Sequence, residues 1–570
     1  MKDKREFYKL LSELNGKPIE EYKQIVGDYD FTRFVIKCYP FDITDGKISP
    51  VFSIRIPQTI TEIPEYLFNS PLRKIALEDY LLRSFNLSIE NLAIFDEAGI
   101  AHRNIIVSLP EQTILPRNTV SITREYLEIR IQINLPMQKI LINGAINLAV
   151  DGLAAQKLFY ESIMESVGES LLFCNMDKEL VEKYVNNMEQ AHSMRDHLSS
   201  SGNVAFLSSG ALLDREFESD LPDYNNPQLL EVDETIKEKI ETPFGSVEGI
   251  GIPSGLTLII GESADRESLI NAISQGIYNH IPGDGREGCV TSSDAVEIYS
   301  EPGRHIQDVD ISAFTNSEDN SRFTTDCATG FESQAAATVE ALEAGSRVLL
   351  YDEDTSSVSF LTSDSRLNTL KVSSSCSLVS IARQMVDDLG ISIIVSGSNL
   401  IAEYFPIANT VYKIKNSIIS NITEEAKALD IDELPVKKIN NLSELLSRSR
   451  WIMPSSIDPS INQKDVYIDV SQDGILKFGR HSIDVSDMYQ IASLDQVRSI
   501  GLILYYSKLR YMDENFSFRE ILDLIDRDLS SEGLNTLARE FCGNLARPRR
   551  FEIASLINRL PNFRVSHINQ

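Results

Sequence analysis

A chain of 570 residues is longer than one hydrophobic core usually supports, so about three domains are expected. With 84 acidic against 54 basic side chains and a formal net charge of −30, broad binding to a nucleic-acid backbone is disfavoured, because that needs clustered lysine and arginine. The six cysteines (Cys38, Cys174, Cys289, Cys327, Cys376, Cys542) include no CxxC pair, which fits reduced thiols and gives no zinc signal. Neither a signal peptide nor a membrane span is legible, so a cytoplasmic protein is expected.

After an opening helix, segments 31–39 and 51–57 read as strands, and 74–85 as a helix with apolar residues at helical spacing. Between 119 and 135, Leu127, Ile129, Ile131 and Ile133 alternate with Glu128, Arg130, Gln132 and Asn134, the pattern of a half-buried antiparallel strand. Segments 146–167 and 178–198 read as helices. The stretch 214–241 is acidic and carries prolines, as a solvated loop does.

The chain is organised around Leu256 to Ile273, an apolar strand that ends at Gly261, crosses a short polar loop and enters an amphipathic helix. A P-loop occupies such a place, with the form G-x-x-x-x-G-K-[ST]: glycines let the backbone amides cradle phosphates, the lysine reaches them, and the hydroxyl holds magnesium. Two registers fit. Counted forward from Gly261, Ser268 takes the hydroxyl position, Arg266 replaces the second glycine and Glu267 the lysine. Counted back from the helix with one residue missing, the favoured register, Asp265 replaces the glycine, Arg266 the lysine and Glu267 the first hydroxyl, and Ser268 is the second. Asp265 is expected as the N-cap and Glu267 in the first turn, their carboxylates answering the helix amides and dipole in place of a phosphate. A carboxylate roughly 5 Å from a phosphate charge opposes it by about 3 kcal/mol at an effective dielectric near 20. An ordinary strand and capped helix is the alternative reading of the loop taken alone.

Further on, Val348 to Tyr351 is an apolar run ending in Asp352-Glu353-Asp354, the form of a Walker B strand, where the aspartate holds magnesium and the following glutamate polarises water. Segment 391–395 reads as the next parallel strand; Ser396-Gly397-Ser398-Asn399 follows, without the histidine that ABC-class ATPases generally place there. Before Walker B, Thr325 to Ala336 leads into a helix ending near Gly345, as the ABC signature leads into its helix, and Thr329 and Gly330 would be the pair that meets the γ-phosphate of a second protomer. Glu262, Asp265, Glu267 and Glu332 would all place negative charge where phosphate lies. The last part reads as a strand pair over 466–478 and helices over 486–513, 518–529 and 551–560. Arg547, Arg549 and Arg550 form its one basic cluster, either paired with acids of the same chain or open to nucleic acid.

Long, uncommon strings mark a family: Gly251-Ile252-Pro253-Ser254-Gly255, Asn279-His280-Ile281-Pro282-Gly283-Asp284-Gly285-Arg286-Glu287, Gln334-Ala335-Ala336, Glu340 to Gly345, Ala76-Leu77-Glu78-Asp79-Tyr80, and Leu545-Ala546-Arg547-Pro548-Arg549-Arg550-Phe551. The chain resembles the predicted ATPases of the ABC class found in prokaryotes, whose kinetoplastid relative belongs to a mitochondrial RNA-binding complex. The resemblance implies a RecA-like P-loop α/β core over 169–440, an α+β N-terminal domain over 1–168 and a smaller α+β C-terminal domain over 441–570. It also implies a homodimer that binds ATP and Mg2+, with Gly261, Arg266, Ser268, Asp352, Thr329 and Gly330 on the nucleotide, Ser268 and Asp352 on the metal, and Glu353 as the water-polarising base. The family's loop has the form G-G-G-x-H-G-K-S-T, and this chain keeps only the first glycine and one hydroxyl; a second glycine-rich string of the family aligns with Glu97 to Asn104. The expected function is therefore an ABC-class fold with weakened or lost ATP binding and hydrolysis, retained for binding or scaffolding. The alternatives are a divergent active ATPase and an RNA-associated protein.

Overall fold

The computed structural model describes the chain except residues 44–47, 92–93, 96–100, 103, 143–144, 218, 226, 316–317, 363–375, 430–437, 441, 445–447, 463–464, 539–540 and 569–570. It divides into two compact units, Met1–Glu189 with Leu534–Arg547, and Gln190–Gly533 with Pro548–Gln570.

In the first unit, strand Val51–Pro57 pairs antiparallel with Val35–Cys38 on one side and Tyr126–Ile133 on the other, with Ile54 opposite Ile129. Phe52, Ile54, Ile56, Leu127, Ile129 and Ile131 are buried with Phe7, Phe85 and Phe159, and the helix Pro71–Asn91 carries the apolar periodicity read over 74–85. The alternating strand is not half-exposed as expected, because Glu128 and Arg130 on its polar face are also buried. Their charges are satisfied locally: Arg55 pairs with Glu128 at 2.6 Å, and Arg130 donates to Asn535 Oδ1 at 2.6 Å and to the Cys542 carbonyl at 2.9 Å. The distant 534–547 segment thus covers a face that sequence alone assigns to water. The 146–167 helix is also corrected. Ala145–Val150 is a strand paired antiparallel with Met137–Ile142, and helix begins only at Gly152. The Asn143-Gly144 dipeptide, a hairpin signal, outweighs the apolar spacing that follows it.

The second unit is built on a seven-stranded sheet. Its centre is parallel: Leu256–Gly261 lies between Ser392–Gly397 and Thr410–Lys415, and beyond Ser392–Gly397 come Val348–Asp352 and Ala295–Glu297. Leu256, Leu258, Ile259, Leu349, Leu350, Ile393, Ile394 and Val395 are fully buried, the near-continuous apolar strands of a sheet covered on both faces. The helices Ser263–Gln275, Gly330–Glu343 and Leu378–Leu389 connect its strands. A separate four-stranded sheet joins Glu238–Thr242, Gly245–Pro253, Asn203–Ser208 and Cys289–Thr291, so the acidic 214–241 stretch ends in strand rather than loop. The expected strand pair near the end is a three-stranded sheet, Ile468–Val470, Ile475–Phe478 and His481–Asp484. The helix expected over 486–513 is confined to Leu494–Arg510, because Ser493 caps it through the Asp495 amide. Phe518–Ser531 and Arg550–Asn558 follow as expected. All six cysteines are free thiols, and among the described residues no helix is long and apolar enough to cross a membrane.

Candidate nucleotide site

The strand Leu256–Gly261 delivers its C-terminal end to the middle of the parallel sheet, the place where open α/β sheets hold ligands. Gly261 is required there by its neighbour, since a Cβ would lie 2.5 Å from the Ile414 carbonyl. The helix Ser263–Gln275 follows at once. Arg266, expected to reach for phosphate, is only 1% exposed and is the largest fully buried side chain of the molecule's described residues. Its Nε lies 3.6 Å from Asp352 Oδ2, its Nη2 donates to Asp354 Oδ2, and its Nη1 lies 3.4 Å from the Gly261 carbonyl. Asp352, expected as the Walker B aspartate, is therefore paired with an arginine of its own chain. Its other oxygen, Oδ1, accepts the Asp354 amide at 2.8 Å, and the Ser263 hydroxyl donates to Asp354 at 3.2 Å.

Two expectations about the helix start are corrected. The N-cap is Glu262, with no side-chain cap hydrogen bond, and Asp265 lies inside the first turn. The Asp265 carboxylate instead accepts the amides of Asn416 at 2.7 Å and Ser417 at 3.2 Å, holding the turn between Thr410–Lys415 and Ile418–Asn421. Asn416 and Ser417 both have positive φ, so this turn has a conformation that needs such support. Glu267 lies beyond the first turn and is exposed. Ser268, expected on magnesium, donates its hydroxyl to Asp214 at 2.7 Å.

Glu353, expected as the base, turns one oxygen to three backbone amides: those of Ser398 at 2.6 Å, Asn399 at 3.1 Å and Leu400 at 3.2 Å. It thus fastens the loop where a switch histidine would stand. Gly397 makes this possible, since a Cβ there would come within 2.4 Å of the same Glu353 oxygen. Thr329 and Gly330 begin the helix Gly330–Glu343 as the signature reading requires, and Glu332 closes a capping box: the Thr329 amide donates to its carboxylate at 2.8 Å, and its own amide donates to the Thr329 hydroxyl at 3.2 Å. Of the stretch aligned with the family's second glycine-rich string, residues 97–100 and 103 lie outside the described residues.

Two side chains of the basic cluster are paired within their own unit. Arg549 pairs with Glu552 at 2.6 Å and donates to the Ala295 carbonyl, and Arg550 pairs with Asp523 at 2.6 Å. Arg547 lies in the other compact unit, where its amide donates to Pro116. Sequence reasoning missed one buried charged group against the helix Ser263–Gln275, although it lies in a family string. Asp284 is fully buried, 2.9 Å from His280 Nδ1 and 2.8 Å from Arg215, while Arg286 donates to Asn271 of the helix Ser263–Gln275 and to the Leu213 carbonyl. Burial pushes the Asp284 carboxyl up, but the bond and charge of His280, then Arg215 and Arg286, outweigh it and hold it below its ordinary range. Burial, then the charge of Arg215, lowers Arg286 to about 10. The signal that could have found this group is the density of His, Asp and Arg within 280–286. Among the described residues no set of three or more His, Cys, Asp or Glu side chains is grouped to hold a metal ion.

Three family models match the chain: one described as a P-loop domain over residues 177–450, one as the ATPase of the ABC class N-terminal over 4–174, and one as the MRB1590 C-terminal domain over 469–566. A comparison with curated proteins finds no match. Among solved structures, the chain is 12% identical to cbiO1 from Clostridium perfringens, described as part of the ABC transporter complex cbiONQ, over 40% of this chain and 91% of that one, with a TM-score of 0.26. That likeness is too low to carry argument, so the assignment rests on the family models and on the parallel sheet they span. The chain has a RecA-like P-loop core and belongs to the family of ABC-class ATPases.

Proposed function

We propose that this protein uses the ABC-class fold for binding or scaffolding, as a homodimer, with ATP binding and hydrolysis weakened or lost. The observation that carries the reading is Arg266, buried against Asp352 and Asp354. MgATP needs an aspartate free for the metal, a hydroxyl beside it and a cation that can turn to phosphate. Here Asp352 faces a guanidinium, Ser268 is bonded to Asp214, and Arg266 is committed to carboxylates. The residues present therefore do not fit the group. Glu353 is likewise engaged by three amides rather than poised toward water. Restoring a nucleotide site would require separating the buried pair, and removing one partner of such a pair typically costs about 3–5 kcal/mol.

Titration with a fluorescent ATP analogue, with and without magnesium, tests the reading. The expected result is no saturable binding at micromolar protein and no effect of magnesium. Magnesium-dependent micromolar binding, with ATP hydrolysis abolished by Glu353→Gln, would overturn it in favour of a remodelled enzyme. Sedimentation gives the oligomer, and the expected dimer does not depend on MgATP.

A further inference from the structure

In the first unit the strands Met137–Ile142 and Ala145–Val150 form a two-stranded sheet of their own, and among the described residues no third strand joins it. Its base is fastened to the body of the unit. Val150 donates its amide to the Lys17 carbonyl and accepts the Gly16 amide, both at 2.9 Å, and Ala149 and Val150 are fully buried. The outer half is open. Register sets Leu141 opposite Ile146 and Lys139 opposite Leu148, and because side chains alternate along a strand, these four share one face with buried Val150. Leu141 is 77% exposed, Ile146 70% and Leu148 41%. An apolar face thus runs from the core out into solvent.

A hairpin of two strands is marginal by itself in water and gains stability when its apolar face packs on another surface. Leu153 and Tyr160, each 61% exposed, lie in the helical segment that follows, so the apolar surface open to a partner is larger than the hairpin alone. Charge decides what that partner is. No acidic residue falls between Glu128 and Asp151, and Lys139 is the one charged residue of the hairpin. Elsewhere the excess of acids gives the chain its net charge of −30, so two copies repel each other over most of their surfaces. They can approach where acids are missing, and two identical apolar faces related by a twofold axis cover each other. A cationic partner would be drawn to the acidic surfaces instead.

We propose that a second copy of this chain packs on this face, with Leu141 and Ile146 of one protomer against the same two residues of the other across a twofold axis. This contact rests on the homodimer reading above and gives that dimer its surface. It uses neither the loop at Gly261 nor the start of the helix at Gly330.

Sedimentation velocity of the full chain at micromolar concentration, with Leu141→Glu and Leu141→Lys run alone and mixed one to one, tests the contact. At a position 77% exposed, neither substitution should unfold the monomer. The unmodified chain should sediment as a dimer. Each variant brings like charges together across the axis, so self-association should weaken about a hundredfold and each should run as a monomer. The mixture should return to a dimer, because a carboxylate of one copy then meets an ammonium of the other. Mixing cannot restore a hairpin that merely fails to form. Either charged variant remaining a dimer by itself, or a mixture no more associated than its components, would overturn the proposal and leave the homodimer standing. A monomeric unmodified chain would overturn both.

Discussion

Replacing Arg266 by methionine keeps most of its length and removes its charge, which isolates the buried ion pair. The side chains of Arg266 and Asp352 are 1% and 7% exposed, so the pair is desolvated at both ends. Losing one partner of such a pair leaves a buried charge uncompensated and costs about 3–5 kcal/mol. The second partner, Asp354, is 56% exposed and adds only about 0–1 kcal/mol. Unfolding entropy of roughly 2.1 cal/mol/K per residue gives a unit of this size about 0.8 kcal/mol/K, so the melting temperature of Arg266→Met should fall by about 4–7 °C in differential scanning calorimetry. Adding Asp352→Asn to that variant removes the stranded charge, and about half of the loss should return. A fall below about 1 °C, or coupling between the two sites below about 0.5 kcal/mol, would refute the assignment of Arg266 as a structural counterion and return it to the role of a phosphate ligand.

Millimolar MgATP should leave the melting temperature of the unmodified protein within about 1 °C, because only a ligand that binds the native state raises it; a rise of several degrees would contradict the proposed function. Glu353→Ala removes an acceptor of three amides and should cost about 1.5–3 kcal/mol in urea unfolding, whereas Glu353→Gln keeps an oxygen and should cost less; equal losses would show that those amides do not depend on it. Glu78 is raised from 4.5 to about 7 by burial, against Lys74 and the Ile122 amide. The folded carboxyl thus holds its proton longer than the unfolded one. Its contribution to stability is complete below pH 4.5 and is lost as pH rises through 7. Glu78→Gln should therefore melt higher than the unmodified chain at pH 8, by an amount on the order of 3 kcal/mol, and no higher at pH 4. Rebuilding the family's loop, by inserting the missing residue with Asp265→Gly, Arg266→Lys and Glu267→Ser, should raise ATP affinity at least tenfold in the fluorescent titration.

Much of the core was legible because its signals are local. The run Val348 to Tyr351 and the segment 391–395 are parallel strands, since uninterrupted apolar runs bounded by polar residues have few other uses in an α/β chain. The helix at Gly330 was expected from the signature-like string Thr325 to Ala336, whereas Glu332, read there as charge facing phosphate, closes a capping box with Thr329. What sequence could not supply was tertiary pairing. Alternation between Glu128 and Ile129 implies water on one face, and nothing near residue 130 shows that Asn535 and Cys542 return to cover it. The same limit applies at the loop. Arg266 was readable as a cation beside carboxylates, but not as a buried one, because its partners Asp352 and Asp354 lie more than eighty residues away. Asp265 was read as a helix cap from its position, yet a more distant pair of amides, on a turn with two positive-φ residues, took its carboxylate.

These placements change the physical account of why the loop should resist nucleotide. In sequence, Glu262, Asp265, Glu267 and Glu332 read as a wall of charge opposing phosphate, each worth about 3 kcal/mol at 5 Å. In the structure Asp265 and Glu332 serve backbone amides, and Glu262 and Glu267 are exposed, where solvent screens them. Competition therefore outweighs repulsion: Asp352, expected on the metal, already has a cation, and that cation is held by two acids. Neutralising the exposed acids alone, as Glu262→Gln with Glu267→Gln, should then leave ATP binding undetected. Arg266→Lys within the rebuilt loop should restore it, since lysine loses the fork that reaches Asp352 and Asp354 together and supplies a compact ammonium. The rebuilt loop carries a cost of its own, because Asp265→Gly releases the 416–417 turn, and its melting temperature should drop even as affinity rises. Binding after the charge changes alone, with Arg266 intact, would show that repulsion was the barrier and that the buried pair opens readily.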